Sequence, residues 1–384
     1  MQIKSTMLSL AVAMVTSFFG ASCSADDAVV YIAHVGPITG PIAHLGKDNE
    51  NGARLAIEEL NAKGTKIDGK SVRFVLLAED DGNDPKQGTE VAQKLVDAKV
   101  NGVVGNGTSG TSIPAAKIYY DAGIPQIAPS STAVAYTAMG YKTTFRVVAN
   151  DGKLGSILGR YAVNNLNAKS IAVIDDRSAY GQGLADEFIK SVKNTNPAFK
   201  NIQRQYTDNK ATDFNAILTK IKSAKPDLIF FGGMDSTAGP MLRQMKALGI
   251  NAKFLGGDGI CTSNFSDLAG DSLRDNQVYC AEAGGIADEQ KAAADNFLAA
   301  YKKRFGVDVL IYAPYVYDAV MTLVDAMQQA KSSNPAIYLP YLQNISHKGV
   351  TGEIAFDKKG DIKNGALTLY IFKSGRREKI AVLR

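Results

Sequence analysis

Two short loops carry most of the hydroxyl chemistry in this chain. GNGTSGTS, Gly105–Ser112, completes the apolar run NGVVG and leads into SIPAAKIYYDAG; APSST, Ala128–Thr132, follows a second apolar run. The first loop offers the hydroxyls of Thr108, Ser109, Thr111 and Ser112 together with backbone N–H groups freed by glycine. It opens what reads as a helix with Pro114 in the first turn, and a helix N-terminus attracts anions. It contains no lysine. Hydroxyls and amides without a cation suit a single-charged anion such as a carboxylate. Taken alone, the loop reads first as a solvated turn with a capping serine. The second hydroxyl loop changes the balance, because neighbouring parallel strands deliver their C-terminal loops to one edge, where ligands bind.

Other chemistries fit poorly. A phosphate-binding P-loop needs G-x-x-x-x-G-K-[ST], and no segment matches it. Gly105, Gly107 and Gly110 have dinucleotide spacing, but the acidic partner some 20 residues on is replaced by IPQIAPSST. Ser109 has Gly107 before it but Thr111 after it, so the nucleophile elbow fails. The three histidines, His34, His44 and His347, sit in no recognisable base position. Asp80, Asp81 and Asp84 cluster as a strand end and a helix cap rather than a metal site. Neither a catalytic constellation nor a metal or cofactor site is expected.

The elements that would position these loops alternate regularly. VVYIAHV, a helix over NENGARLAIEELNAKG, VRFVLLAED, a helix capped by Asp84 with Pro85 at its first position, and NGVVG give a βαβα rhythm. That rhythm implies a mostly parallel sheet covered on both faces. It restarts near Asn150, which argues for two lobes. The strands of the second unit end in DDRSAYGQG, FFGGMDS and LGGDGI, supplying Tyr180, Met234 and Asp258. If the lobes face each other, a carboxylate such as Asp258 could meet an ammonium. The end of the chain differs. A long helical region over 287–330 and another near 336–346 precede GEIAFD and ALTLYIFKSG, which read as an antiparallel pair followed by a basic tail.

The chain has 384 residues, 45% of them hydrophobic and 21% charged, with a formal net charge of +5. That is enough for two cores. The basic residues form no run of five, so no nucleic-acid surface is expected. Lys4, the apolar stretch Met7–Gly20 and ASCSA read as a signal peptide over residues 1–25, with lipidation at Cys23 as the alternative. Cys261 and Cys280 then remain. An even count in an oxidising compartment favours a disulfide over two buried thiols.

Seven motifs in order, GPITGPIAHLG, NGARLAIEELNAKG, EDDGNDPKQG, GNGTSGTSIPA, APSSTA, AYGQG and GGDG, give the chain its resemblance to the branched-chain amino-acid (leucine/isoleucine/valine) receptors of ABC importers. The resemblance covers essentially the whole mature chain. It implies the type I periplasmic binding fold: two α/β, doubly wound Rossmann-like lobes joined by a three-strand hinge. Lobe 1 would be residues 26–150 with 282–357, and lobe 2 residues 151–281 with 358–384. It implies that Ser109 binds the ligand carboxylate, that Ser130 and Thr132 serve carboxylate and ammonium, with Ser130 acting largely through its backbone, that Tyr180 arrives on closure, and that Asp258 meets the ammonium. Asp258 is shorter than the usual Glu. Leu45 and Met234 stand where pocket tyrosines can occur, and Leu310 and Tyr312 stand in the wall segment; ordinary core packing is the other reading of Leu45, Met234 and Leu310. A periplasmic monomer that hands an aliphatic amino acid to a membrane permease is expected. The alternative is the same scaffold binding an amide, an aromatic acid or another small carboxylate.

Overall fold

The computed structural model of the chain describes residues 28–286 and 288–383. The expected signal segment, with Cys23, lies outside the described residues. Among the described residues, no helix is long and apolar enough to cross a membrane.

Six strands form the first sheet: β1 (Ala28–Gly36), β2 (Lys66–Ile67), β3 (Lys70–Asp80), β4 (Gly102–Val104), β5 (Gln126–Ala128) and β6 (Thr144–Arg146). Their spatial order is β2-β3-β1-β4-β5-β6, with all pairs parallel except β2–β3. The second sheet contains β7 (Ile171–Asp175), β8 (Ile202–Tyr206), β9 (Leu228–Gly232), β10 (Lys253–Gly256) and β11 (Val278–Glu282). A small antiparallel pair follows, β12 (His347–Lys348) with β13 (Glu353–Ile354). The last two strands, β14 (Leu367–Lys373) and β15 (Arg376–Leu383), complete the second sheet. Its order is β15-β14-β11-β10-β9-β7-β8, and β14 runs antiparallel to both of its neighbours, β11 and β15.

The inner strands are buried from end to end. IAVID of β7 and LIFFG of β9 carry no exposed residue, as expected of parallel strands covered on both faces. Phe188 from the helix Ala179–Thr195 stacks on Phe230 of β9 with ring centroids 3.8 Å apart, which fixes that helix against the sheet. Asp84 caps the helix Pro85–Asp97, its side chain accepting from the N–H groups of Lys86 and Gln87, as the sequence predicts.

The chain passes between the sheets three times, after β6, after β11 and between β13 and β14. These passages are tied together. The Ala149 N–H donates to the Ala283 carbonyl at 3.0 Å, and the Arg146 N–H donates to the Gly360 carbonyl at 2.9 Å. Arg146 is fully buried, and its Nε donates to Asp361 at 2.6 Å. Charge pairing and hydrogen bonds to Ser131 and Ala133 carbonyls compensate its desolvation.

Three expectations about local structure are corrected. GEIAFD does not pair with ALTLYIFKSG. Its strand β13 pairs with β12, and β14 pairs with β15. The basic tail is therefore a strand, and its charges belong on an outer edge. The long helical region holds two helices, Lys291–Phe305 and Ala313–Gln329, the first stopped by Gly306 in the left-handed conformation. The helix after GNGTSGTS begins at Ser109, so Pro114 lies inside it rather than in its first turn.

Candidate functional site

Each sheet reverses its strand order once, between β1 and β4 in the first and between β7 and β9 in the second. The crevice outside the strand ends at such a reversal is where open α/β sheets bind ligands. Here both crevices contribute to one cleft. Loops from the first sheet bring Gly107, Thr108, Ser109 and Ser130; those of the second bring Tyr180, Met234 and Asp258.

Hydrogen bonding decides which hydroxyls are available. In the first loop, Thr108 donates to Asn83 Oδ1 at 2.8 Å and Thr111 donates to Asp81 Oδ2 at 2.7 Å. Ser112 pairs with Ser131 at 2.6 Å. Those groups hold the loops to each other and to the turn after β3. Ser109 Oγ instead accepts from the Ala133 N–H at 3.1 Å, which leaves its own proton free to donate. Ser109 is also the first residue of the helix Ser109–Asp121, where backbone N–H groups have no partner within the helix. Gly107 permits the close approach of the loop to β1, because a Cβ there would lie 2.5 Å from Pro37 Cδ.

Ser130 lines the cleft and donates to the Gly107 carbonyl at 2.9 Å, so its hydroxyl proton is committed. Thr132 is not among the lining residues. It is buried behind them, and its carbonyl accepts from the Asp151 N–H at 2.8 Å. Asp151 is a residue the sequence reading missed. Both its carboxylate oxygens are buried, with the Thr132 hydroxyl beside them. Burial first, and the nearby Asp258 charge second, push its pKa well above the carboxylate range.

On the opposite wall, Asp258 stands at the end of β10 and is fully buried. The Tyr180 hydroxyl donates to its Oδ1 at 2.7 Å, and the Tyr312 hydroxyl donates to its Oδ2. Burial raises the Asp258 pKa, and the tyrosine donors, Tyr312 more than Tyr180, pull it back. Gly259 makes room for this cluster, since a Cβ there would meet Tyr180 Cε1 at 2.9 Å and Met234 Sδ at 3.0 Å. The segment is anchored by the Cys261–Cys280 disulfide, which ties it to β11. Arg377 donates to the carbonyls of Cys261 and Leu310.

The apolar part of the lining is Pro37, Ile42, Leu45 and Met234. Leu45 and Met234 therefore reach the cleft. Of the wall segment, Tyr312 lines it and Leu310 does not. Tyr312 is held by Asp48, whose carboxylate accepts from the N–H groups of Leu310, Ile311, Tyr312 and Ala313 at 3.0 to 3.2 Å. Asn49, next in the helix Ala43–Ala62, also lines the cleft. At the rim His44 Nε2 meets Asp235 at 2.8 Å, a contact between elements of the two sheets. No lysine or arginine lines the cleft. Among the described residues, no group of three or more His, Cys, Asp or Glu side chains could hold a metal ion.

A two-sheet α/β chain with three passages and a cleft between facing strand reversals is the architecture of a ligand-trapping receptor. Residues 29–376 match the periplasmic binding protein family, and the chain belongs to that family. It is 34% identical over 356 residues to the leucine-, isoleucine-, valine-, threonine- and alanine-binding protein of Pseudomonas aeruginosa, covering 93% of this chain and 92% of the relative. Its fold, the type I periplasmic binding fold, is similar to that of the leucine binding protein LivK from Thermotoga maritima, with a TM-score of 0.83, 27% identity, and 92% and 99% of the two chains covered. It is also similar to the branched-chain amino acid transporter substrate binding protein LivJ from Streptococcus pneumoniae in complex with isoleucine, with a TM-score of 0.80, 28% identity and the same coverage.

Proposed function

We propose that the protein is an extracytoplasmic receptor that captures a branched-chain aliphatic amino acid in this cleft and delivers it to an ABC importer. The observation that carries the reading is the polarity of the cleft. One wall offers a free hydroxyl proton on Ser109 and the start of a helix; the other offers the Asp258 carboxylate, and no basic side chain lies between them. A zwitterion matches both ends. Its carboxylate takes the Ser109 donor and the helix amides, and its ammonium faces Asp258, with Thr132 Oγ1 and Asp151 behind it. Burying a charge is costly unless it is paired, so a ligand lacking either charge leaves a buried partner unmatched. Ile42, Leu45 and Met234 then surround an aliphatic side chain. The names of the relatives support the same ligand class.

The lobes, taken as residues 26–150 with 282–357 and 151–281 with 358–384, close on the ligand about the three passages. Tyr180, Met234 and Asp258 reach it only on closure, and contacts made in one state alone shift the equilibrium toward that state. The receptor acts as a monomer in the periplasm after removal of residues 1–25, and its closed form docks on a membrane permease.

Calorimetry on ligand-stripped protein tests the reading. Leucine, isoleucine or valine should bind with one site per chain, and benzoate and small amides should not. Binding of benzoate in place of all three would overturn it.

A further inference from the structure

Within the proposed amino-acid cleft, the lining residue Asn49 carries a buried polar atom that no protein group among the described residues satisfies. Asn49 is 2% exposed and lines the cleft one helical turn beyond Leu45. Its amide orientation is set by its neighbour. Ser130 Oγ spends its proton on the Gly107 carbonyl at 2.9 Å and so can only accept from Asn49. The group facing Ser130, at 3.4 Å, is therefore Nδ2, which leaves Oδ1 as the other end of the amide. That oxygen is buried and has no partner among the described residues. A buried acceptor left unmatched is unfavourable, and an apolar ligand atom placed against it cannot relieve the loss.

We propose that Asn49 Oδ1 is a specificity element that accepts a hydrogen bond from the ligand side chain. The pocket then takes amino acids whose compact side chain carries a hydroxyl or amide donor, as well as purely aliphatic ones. This rests on the amino-acid reading of the cleft and adds the chemistry of the side-chain end. Ile42, Leu45 and Pro37 supply apolar contact, and Asn49 rewards a donor set among them. A site built to hydrogen-bond a substrate group discriminates by that group, whereas an apolar pocket gains nothing from it.

Two isosteric pairs test the proposal by calorimetry on ligand-stripped protein: valine against threonine, and leucine against asparagine. In the wild type at least one polar member should bind within tenfold of its apolar isostere, or tighter. In Asn49→Leu the polar-to-apolar affinity ratio of that pair should fall at least tenfold, the apolar member gaining or holding its affinity. If both polar members bind more than tenfold weaker in the wild type, the proposal fails without recourse to any variant. If Asn49→Leu weakens all members alike, Oδ1 serves the shared ammonium or the fold, and the proposal again fails while the amino-acid reading stands. If none of the four ligands binds the wild type, the amino-acid reading itself is lost and this proposal with it.

Discussion

The Tyr312 hydroxyl donates to Asp258 Oδ2 across the cleft, joining the segment packed on the helix Ala43–Ala62 to the end of β10. Since Tyr180 takes the other oxygen from Asp258's own side, the carboxylate is oriented by one tyrosine from each lobe. In the proposed closing motion this contact forms only on closure. Tyr312→Phe removes one hydrogen bond to a buried carboxylate, a change of about 2 kcal/mol. Ligand affinity should fall roughly 30-fold, while the melting temperature of the ligand-free protein stays nearly constant. Titration calorimetry and a thermal melt together check both parts.

Asp48 supports that geometry from behind. Its carboxylate accepts four backbone N–H groups at the start of the helix Ala313–Gln329 and the Tyr301 hydroxyl at 3.0 Å. Burial raises its pKa, and the backbone donors counter this. Asp48→Ala strands several buried donors at once and should cost about 3 kcal/mol or more in urea unfolding. Asp48→Asn keeps one acceptor and should recover part of the loss.

His34 sets a pH dependence of stability. It is buried in β1, and its Nδ1 must be the donor in its 3.0 Å bond to the Val104 carbonyl, because a carbonyl only accepts. Burial lowers its pKa from 6.5 to about 4. The unfolded chain therefore binds a proton between these values that the folded chain refuses. Stability from this group is complete above pH 6.5 and is lost as pH falls toward 4, by about 3 kcal/mol. The buried carboxyls Asp48, Asp151 and Asp258 have raised pKa values and act in the opposite direction. The comparison with His34→Gln isolates the histidine: over pH 6.5 to 4 the variant should lose less unfolding free energy than the wild type.

The disulfide closes a segment with a sequence separation of 19 that carries Asp258's flank. By loop-closure entropy, Cys261→Ala with Cys280→Ala should cost about 3 kcal/mol in unfolding experiments. Ligand affinity should fall as well, because the turn bearing Asp258 loses its anchor. Unchanged affinity would show that Arg377 alone is enough to hold that turn.

What the sequence made legible was local. The hydroxyl loops, the Asp84 cap and the alternation of strands and helices each depend on a few adjacent residues, and Ser109 lines the cleft. Contacts between distant residues were not legible. Tyr312 reaches Asp258 over a separation of 54 and His44 reaches Asp235 over 191, and no local pattern announces either pair. Asn49 and Asp151 looked like ordinary helix residues until the fold buried them. Thr132 shares a motif with Ser130, yet the turn carries Thr132 behind the lining. Strand β15, RREKIAVL, read as a tail because an outer edge strand carries the same charges. Gly306, in the left-handed conformation, is the stop that divides the long helical region.

The central claim is that the cleft reads both charges of a zwitterion. The most direct test compares leucine with 4-methylpentanoate, the same skeleton without its ammonium, by calorimetry on the stripped wild type. The account predicts that loss of the ammonium leaves Asp258 buried and unmatched and weakens binding at least 100-fold, on the order expected for an unpaired buried charge. Binding of 4-methylpentanoate within tenfold of leucine would contradict it, since Asp258 would then face no ammonium.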